Sequence, residues 1–308
     1  MEPHYSVASV TVLRNPGALL RRHLEALLQQ SRPLDEVIMV DNASTDGTRE
    51  LLQREYPQVT FLPLPENTGV GGGFSAGLSD AVAKKHDWVW IFDQDSTPAT
   101  DALEELLAAL RLDNEFRRTA GVLASLSVDS ETGIPSFGSL WKDRFVRVPS
   151  HSRLASKCLV DSVISSGSLV RREVVEKVGL PRADFFMDFV DHEYNLRIRR
   201  QGYTIAVIPR SVLHHTLGKP RLVKILGSTR LWSQQPAWRH YYMSRNDTFT
   251  IWHEFSNLRA KCFLLVRLLR RAIGILLLDS QKRAKLKMMW IGFWDGVRGR
   301  LGIRLTPS

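Results

Sequence analysis

Apolar and polar positions follow two alternating patterns along the first two hundred residues. Residues 7–12 form a β-branched apolar run. Residues 16–30 set Leu19, Leu20, Leu24, Leu27 and Leu28 at helical spacing, and residues 36–40 are again apolar, ending at Asp41. The pattern predicts β-α-β. It continues with a helix over 48–56, a strand over 59–64, a glycine-rich loop at 69–73, a helix over 75–85 and a strand over 88–92. Strands alternating with helices predict an α/β fold with a mostly parallel sheet and right-handed crossovers. In open sheets of this kind ligands gather beyond the carboxyl ends of strands, which directs attention to the residues after Val40 and Phe92. Both lead into aspartates.

Further along the pattern weakens. Residues 101–118 predict an exposed helix, and the polar, Pro- and Gly-broken stretch 128–157 predicts a long loop of the kind that forms lids. Strand character returns over 158–170, residues 172–178 predict a helix, and a helix over 191–201 is closed by Gly202 before a strand at 204–208. After Pro220 the character changes. The expected division is an α/β domain over residues 1–220 and a helical, basic region over 221–308.

Composition adds exclusions. With 308 residues, 44% hydrophobic and 24% charged, the chain can bury a large core, which excludes disordered and collagen-like classes. Two isolated cysteines, Cys158 and Cys262, exclude a disulfide framework and a CxxC metal or redox site, and favour a reducing compartment. The first ten residues have no basic flank and no long apolar stretch, so no secretory signal is read and a cytoplasmic location is expected. Charge changes the picture more. Residues 1–209 hold 23 Lys+Arg against 28 Asp+Glu, whereas residues 210–308 hold 19 against 4, a net +15. Such asymmetry points to an anionic partner for the C-terminal part: a membrane surface, a nucleic acid or a phosphorylated substrate.

Three segments carry candidate chemistry. Asp41-Asn42-Ala43-Ser44-Thr45-Asp46-Gly47-Thr48 leaves a strand and enters a helix, with Thr45 or Asp46 as the expected N-cap. Capping alone is one reading. The other is that Asp41 accepts from the N3–H of a uracil or thymine ring. Glu66-Asn67-Thr68-Gly69-Val70-Gly71-Gly72-Gly73 has glycines that let backbone approach a ligand and turn N–H groups toward phosphate, against the bland reading of a flexible loop. It matches neither the P-loop nor the GxGxxG spacing. In Trp88-Val89-Trp90-Ile91-Phe92-Asp93-Gln94-Asp95-Ser96, two carboxylates stand at i, i+2 past an apolar strand. Their mutual repulsion calls for a divalent cation, and hard oxygen ligands suit Mg²⁺ or Mn²⁺. A cation there can stabilise a diphosphate leaving group.

The order of these motifs resembles the inverting family 2 glycosyltransferases of the GT-A fold, and the Asp93-Gln94-Asp95-Ser96 form resembles their bacterial rhamnosyltransferase branch. The resemblance runs from about Val7 to His215, with further similarity at Arg239 to Asn246. It implies Asp41 on the nucleobase, Asn67, Gly69 and Gly73 lining the donor, Asp93 on ribose or metal, and Asp95 on metal. Inverting transfer needs a base for the acceptor hydroxyl. The family's Glu-Asp pair aligns its Asp with Asp191 and its Glu with Val190, so Asp188 stands as a rival base. Glu193 and Arg197, at i, i+4, suit a helix-surface ion pair. A metal-binding histidine at similar distance from the base implies His215, while His86, His151 and His192 take structural readings. Leu13-Arg14-Asn15 replaces the usual Thr-Tyr-Asn, which leaves Arg14 to stack on the base or to reach phosphate.

In the C-terminal part, Arg239-His240-Tyr241-Tyr242-Met243-Ser244-Arg245-Asn246 suits a diphosphate or sugar through Arg245, or simple helix packing. Residues 258–278 are too interrupted by arginine to span a bilayer. Arg259, Arg267, Arg270 and Arg271 share about a third of the helical wheel, which predicts an amphipathic interfacial helix, or alternatively a packed appendage. Lys282, Arg283, Lys285, Lys287, Trp290 and Trp294 continue the pattern.

The expectation is a glycosyltransferase on the cytoplasmic face of the cell membrane, held peripherally on its anionic surface. It moves L-rhamnose from dTDP-L-rhamnose to a glycan or polyprenyl-diphosphate-linked acceptor in cell-surface polysaccharide synthesis. UDP-galactofuranose or another UDP-sugar is the alternative donor. A non-catalytic nucleotide-sugar or membrane-binding protein is the alternative of another class. No nucleic-acid partner is expected, because no nucleic-acid module accompanies the charge.

Overall fold

Every residue of Val7–Leu13 is buried, as a central strand covered on both faces requires, and this segment is β1 of the computed structural model, which describes residues 4–111, 113–149, 155–215, 221–225, 228–255 and 257–305. There follow α1 (Leu19–Leu28), β2 (Glu36–Asp41), α2 (Thr48–Glu55), β3 (Thr60–Pro63), α3 (Gly69–Ala83) and β4 (Trp88–Asp93). Leu20, Leu24 and Leu27 bury the inner stripe of α1, as their spacing predicts. β1 lies between β2 and β4 and is parallel to both, and β3 extends the sheet beyond β2. The chain thus grows to one side of β1 and then reverses to the other, which makes the β1/β4 boundary a topological switch point. In this register Leu13 pairs with Asp41 and Val12 with Asp93, so the two aspartates flank the end of β1.

Next come β5 (Ser96–Pro98), α4 (Ala102–Ala109), α5 (Asn114–Thr119), β6 (Ala120–Asp129), β7 (Pro135–Ser136), β8 (Ser139–Trp141), β9 (Phe145–Arg147), β10 (Cys158–Val160), β11 (Ser168–Arg171), α6 (Arg172–Val178), α7 (Val190–Arg200) and β12 (Thr204–His215). The sheet order is β10-β12-β6-β11-β4-β1-β2-β3, with β5 on β12 and β7 on β6. β11 runs antiparallel between β4 and β6, so the sheet is mixed. Two expectations change. The stretch 101–118 is two helices, and α4 is core: Ala102, Leu103, Leu106, Leu107 and Ala109 are buried. The expected loop 128–157 carries β7 and the hairpin β8–β9. His151 lies outside the described residues.

Two compact units emerge: Met1–Trp141, Phe145–Ala183 and Val190–His215 in the first; Lys142–Arg144, Asp184–Phe189 and Thr216–Ser308 in the second. The second contains the hairpin β13 (Arg221–Ile225)/β14 (Ser228–Trp232), α8 (Ala237–Phe249), α9 (Leu258–Leu278) and α10 (Lys282–Val297), and α8 runs on into a π-helical turn at Thr250–Glu254. α8 and α10 touch backbone to backbone through small residues. A Cβ on Gly292 would lie 2.3 Å from the Tyr241 carbonyl oxygen, and one on Gly296 2.5 Å from that of Arg245. α9 is capped by Asn257, whose side chain accepts from the Ala260 N–H, and it buries Ala260, Leu264, Leu268, Gly274 and Ile275.

Candidate active site

The loops after β1, β2 and β4 are tied to one another. The Gln94 side chain accepts from the Arg14 N–H at 2.7 Å and donates to the Arg14 carbonyl, while the Arg14 guanidinium donates to the Asn42 carbonyl. Arg14 is therefore laid over the loop that follows Asp41. Asn15 accepts from the Thr45 N–H, and Asp46 accepts from the N–H groups of Gly17 and Thr48. The N-cap of α2 is Gly47 at φ +82°, so Asp46 ties down the helix start from one position upstream. Burial opposes ionisation of Asp46, but the Thr48 hydroxyl, which also donates to it, and these N–H groups together hold it below the usual carboxylate range. Asp41 is buried and accepts from the Ser44 N–H.

Asp93, Asp95 and His215 converge. One ligand atom from each lies within 4.8 Å of the others, although His215 is 120 residues from Asp95 in sequence. The reach comes from β12, which runs beyond Ile208 through a register shift and pairs His215 with Ser96. Ser96 anchors the cluster: its hydroxyl is 2.8 Å from His215 Nδ1 and 2.6 Å from Ser166 Oγ, which accepts from the Asp93 N–H. Asp95 Oδ1 is enclosed, 3.4 Å from His215 Nδ1, and among the described residues it has no hydrogen-bond donor. An enclosed carboxylate oxygen without a donor, beside a second carboxylate and an imidazole, is a donor set that fits Mg²⁺ or Mn²⁺.

Sequence reasoning missed His23. It is buried beneath the cluster, with Nδ1 2.6 Å from the Ser96 carbonyl and Nε2 2.8 Å from Thr11 Oγ1. The carbonyl can only accept, so Nδ1 carries the proton and Nε2 accepts from the threonine. Burial pushes the imidazole down to about 4 and keeps it neutral. A histidine in an amphipathic stripe gives no sign of this, because its partners lie on β1 and β5. Asn42 was quoted but given no role. Its Oδ1 accepts from the Thr68 N–H and hydroxyl and its Nδ2 donates to the Gly69 carbonyl, joining the segment after β2 to the start of α3.

The glycine-rich segment is helix, not loop. Gly69 opens α3 at φ +72°, with its N–H bonded to the Asn67 side chain. A Cβ on Gly73 would meet Val12 at 2.6 Å, and one on Gly77 would meet Val10 at 2.2 Å. These glycines bring α3 against β1. The expected approach of Gly73 backbone to a ligand is corrected to close helix–strand packing.

Asp191 sits half-buried in the first turn of α7, accepting from the His192 N–H. Among the described residues no cation pairs with it. Asp188, in the second unit, faces the Arg239 guanidinium with both oxygens, at 3.0 Å. α7 is fixed firmly. Asn195 donates to the Val163 carbonyl, His192 Nδ1 is 2.6 Å from Ser162 Oγ, and Glu193, fully buried, pairs with Arg197 at 2.5 Å. The Glu193–Arg197 pair is thus an interior anchor rather than a surface pair, because Arg197 also reaches the Val178 and Leu180 carbonyls. Arg245 is a correction as well. Its side chain is wholly buried, donating to the carbonyls of Asp184, Phe185 and Gly302 and to Asn246, which turns the guanidinium toward backbone instead of a soluble ligand.

A mixed α/β sheet with this cluster at its switch point defines a GT-A glycosyltransferase. The chain belongs to glycosyl transferase family 2, whose model matches residues 9–179, and it is a glycosyltransferase. It is 27% identical over 250 residues to galactofuranosyltransferase GlfT1 of Mycolicibacterium smegmatis, covering 80% of this chain and 82% of that one. It is 26% identical over 299 residues to dTDP-rhamnosyl transferase RfbF of Shigella flexneri, covering 96% and 97%. Over 234 residues it is 29% identical to the N-acetylglucosaminyl-diphospho-decaprenol L-rhamnosyltransferase of Mycobacterium tuberculosis, covering 67% and 75%. Among solved structures, GalNAc-T7 with UDP, GalNAc and Mn²⁺ superposes with a TM-score of 0.63 at 16% identity, over 97% of this chain and 57% of that one.

Proposed function

We propose that this glycosyltransferase is an inverting, metal-dependent enzyme that transfers L-rhamnose from dTDP-L-rhamnose to a lipid-linked glycan acceptor. The observation that carries the mechanism is the convergence of Asp93, Asp95 and His215 at the switch point. Asp93, Asp95 and His215 would hold a divalent cation there, and its charge would stabilise the diphosphate as a leaving group. Asp41, at the neighbouring strand end, accepts from the ring N3–H, and the Asn67–Gly69 turn lines the donor. Asp191 takes the proton of the acceptor hydroxyl while its oxygen attacks the anomeric carbon opposite the nucleotide. The C–O bond to the diphosphate breaks, and nucleoside diphosphate leaves with the electron pair. Asp191 suits this work better than Asp188, whose carboxylate faces the Arg239 guanidinium.

The rhamnosyl donor is favoured by the Shigella relative, whose similarity extends through the C-terminal unit. The galactofuranosyl relatives support UDP-galactofuranose as a second reading. The decaprenol-linked relative supports a polyprenyl-diphosphate acceptor. Membrane association follows from the second unit. α9 exposes Leu258, Leu265, Val266, Leu269, Ile273, Leu276 and Leu277 on about a third of its circumference, opposite its buried stripe. Arg259 and Arg270 flank this arc, and α10 adds exposed Lys282, Arg283, Lys287, Trp290 and Trp294. Apolar surface bordered by cations and tryptophans suits an anionic bilayer.

Nucleotide release by the purified protein tests the donor, with Mn²⁺ and a membrane lipid extract as acceptor source. Lipid-dependent release of dTDP from dTDP-L-rhamnose is expected. Release of UDP from UDP-galactofuranose alone would move the donor, and release from neither would overturn both readings.

A further inference from the structure

The segment just before α7 is held in an unusual backbone. Phe186, Asp188 and Phe189 adopt φ of +64°, +57° and +68°, left-handed values that non-glycine residues rarely take. Three such residues within four positions persist only where the surroundings over-determine them, and strain of this kind concentrates at functional sites.

Here the surroundings are one face of α8. Asn246 Nδ2 lies 2.9, 2.7 and 2.9 Å from the carbonyl oxygens of Phe185, Met187 and Asp188. The Arg245 guanidinium donates to the carbonyls of Asp184 and Phe185 at 3.0 and 2.9 Å, and at 2.5 Å to Gly302, whose own N–H returns to Asp184. Arg239 takes the Asp188 carboxylate, and the Phe186 ring lies against Tyr242 with centroids 4.9 Å apart. Carbonyls turned out of regular structure by positive φ have no strand or helix partner, and buried they must find donors elsewhere. A planar guanidinium next to a primary amide supplies several in fixed directions. Of the Arg239–Asn246 motif, read from sequence as a ligand site or as helix packing, Arg239, Tyr242, Arg245 and Asn246 contact this segment.

We propose that Arg239, Arg245 and Asn246 form a clamp that sets the backbone of residues 184–189 and thereby aims the catalytic base, which follows only two residues later at Asp191. The inference rests on the reading of Asp191 as base. The three are positioning residues: they touch neither donor nor acceptor. Misplacing a reacting group by about 1 Å costs on the order of 10²-fold in rate while leaving substrate affinity nearly unchanged. Losing a clamp arm therefore acts on kcat rather than on donor binding.

The test compares Asn246→Ala, Arg239→Gln and Asp191→Asn with the unaltered chain. Lipid-dependent nucleotide release gives kcat and the donor KM, donor affinity with Mn²⁺ is read by calorimetry, and circular dichroism checks folding. Arg239 is partly exposed, so its replacement keeps the fold where Asn246→Ala does not. The expected result for both clamp variants is kcat lowered about 10- to 100-fold with donor affinity within about twofold. Unchanged kcat in a folded clamp variant, with Asp191→Asn inactive, would overturn the clamp and leave the base assignment standing. Loss of donor affinity in step with kcat would make the motif a structural prop and also overturn it. Wild-type kcat in Asp191→Asn would overturn the base assignment and the clamp's purpose together.

Discussion

At the scale of single residues, the proposed function falls on a few side chains whose surroundings differ. Asp95 keeps an enclosed oxygen without a donor among the described residues, so Asp95→Ala is expected to abolish Mn²⁺-dependent donor affinity; calorimetry showing the same metal dependence as the parent would remove Asp95 from the site. Asp191 is held by no cation among the described residues, and Asp191→Asn is expected to keep donor binding and lose at least ~10² in turnover. Comparable loss in Asp188→Asn alone would transfer the role. His23 makes a different kind of claim. Its folded pKa of about 4 lies below the ordinary 6.5, so protons bind the unfolded chain preferentially. Its contribution is therefore complete above about pH 6.5 and declines as pH falls toward 4, by about 3 kcal/mol in all. Denaturant unfolding of the parent and His23→Gln at pH 7 and pH 5 should give a stability gap that narrows in acid. A constant gap would mean that the imidazole is not held neutral.

Elements follow from patterns, and patterns report what lies close in sequence. Most strands and helices through β4 were legible because Val7–Leu13 is rich in β-branched residues, residues 88–92 are all apolar and α1 repeats leucine at helical spacing. Asp41, Asp93 and Asp95 were legible for the same reason, since strand ends mark where ligands gather. Long-range pairing was not legible. Gly73 looks like a loop residue until Val12 is seen against it, Gly77 shows its close packing only beside Val10, and Arg267 looks solvated until Asp247 is found bonded to its guanidinium. The arginine side of α9 thus turns partly inward, and its leucines face out. Packing at α3 gives a sharp test. A Cβ at position 77 would stand 2.2 Å from Val10 Cγ1, so Gly77→Ala should destabilise by about 1–3 kcal/mol. Because the obstacle is a side chain, Val10→Ala should recover part of that loss in the double variant. Strict additivity in thermal unfolding would show that the contact is not the cause.

At the scale of the whole molecule, the charge asymmetry and the α9 surface point to the same partner. Solvated cations alone would suit any polyanion, and exposed leucines alone would suit any apolar surface. Together, the net charge of +15 over residues 210–308 and the leucines exposed on α9 support the proposed attachment to a bilayer carrying anionic headgroups. No helix among the described residues is long and apolar enough to cross a membrane. The two forces separate experimentally because salt screens one and leaves the other. Co-sedimentation with vesicles containing phosphatidylglycerol should fall several-fold between low salt and 0.5 M salt, roughly as screening requires, while a residual apolar component persists. Leu265→Glu with Leu269→Glu should remove that residual component and weaken binding at low salt by about 10-fold or more, since each substitution puts a charge where the proposed attachment sets a leucine into the bilayer. Both positions are exposed, so folding and metal-dependent donor binding should be unaffected. Equal vesicle binding by parent and variant in high salt would show that the leucine face does not enter the bilayer and would assign attachment to the cations alone.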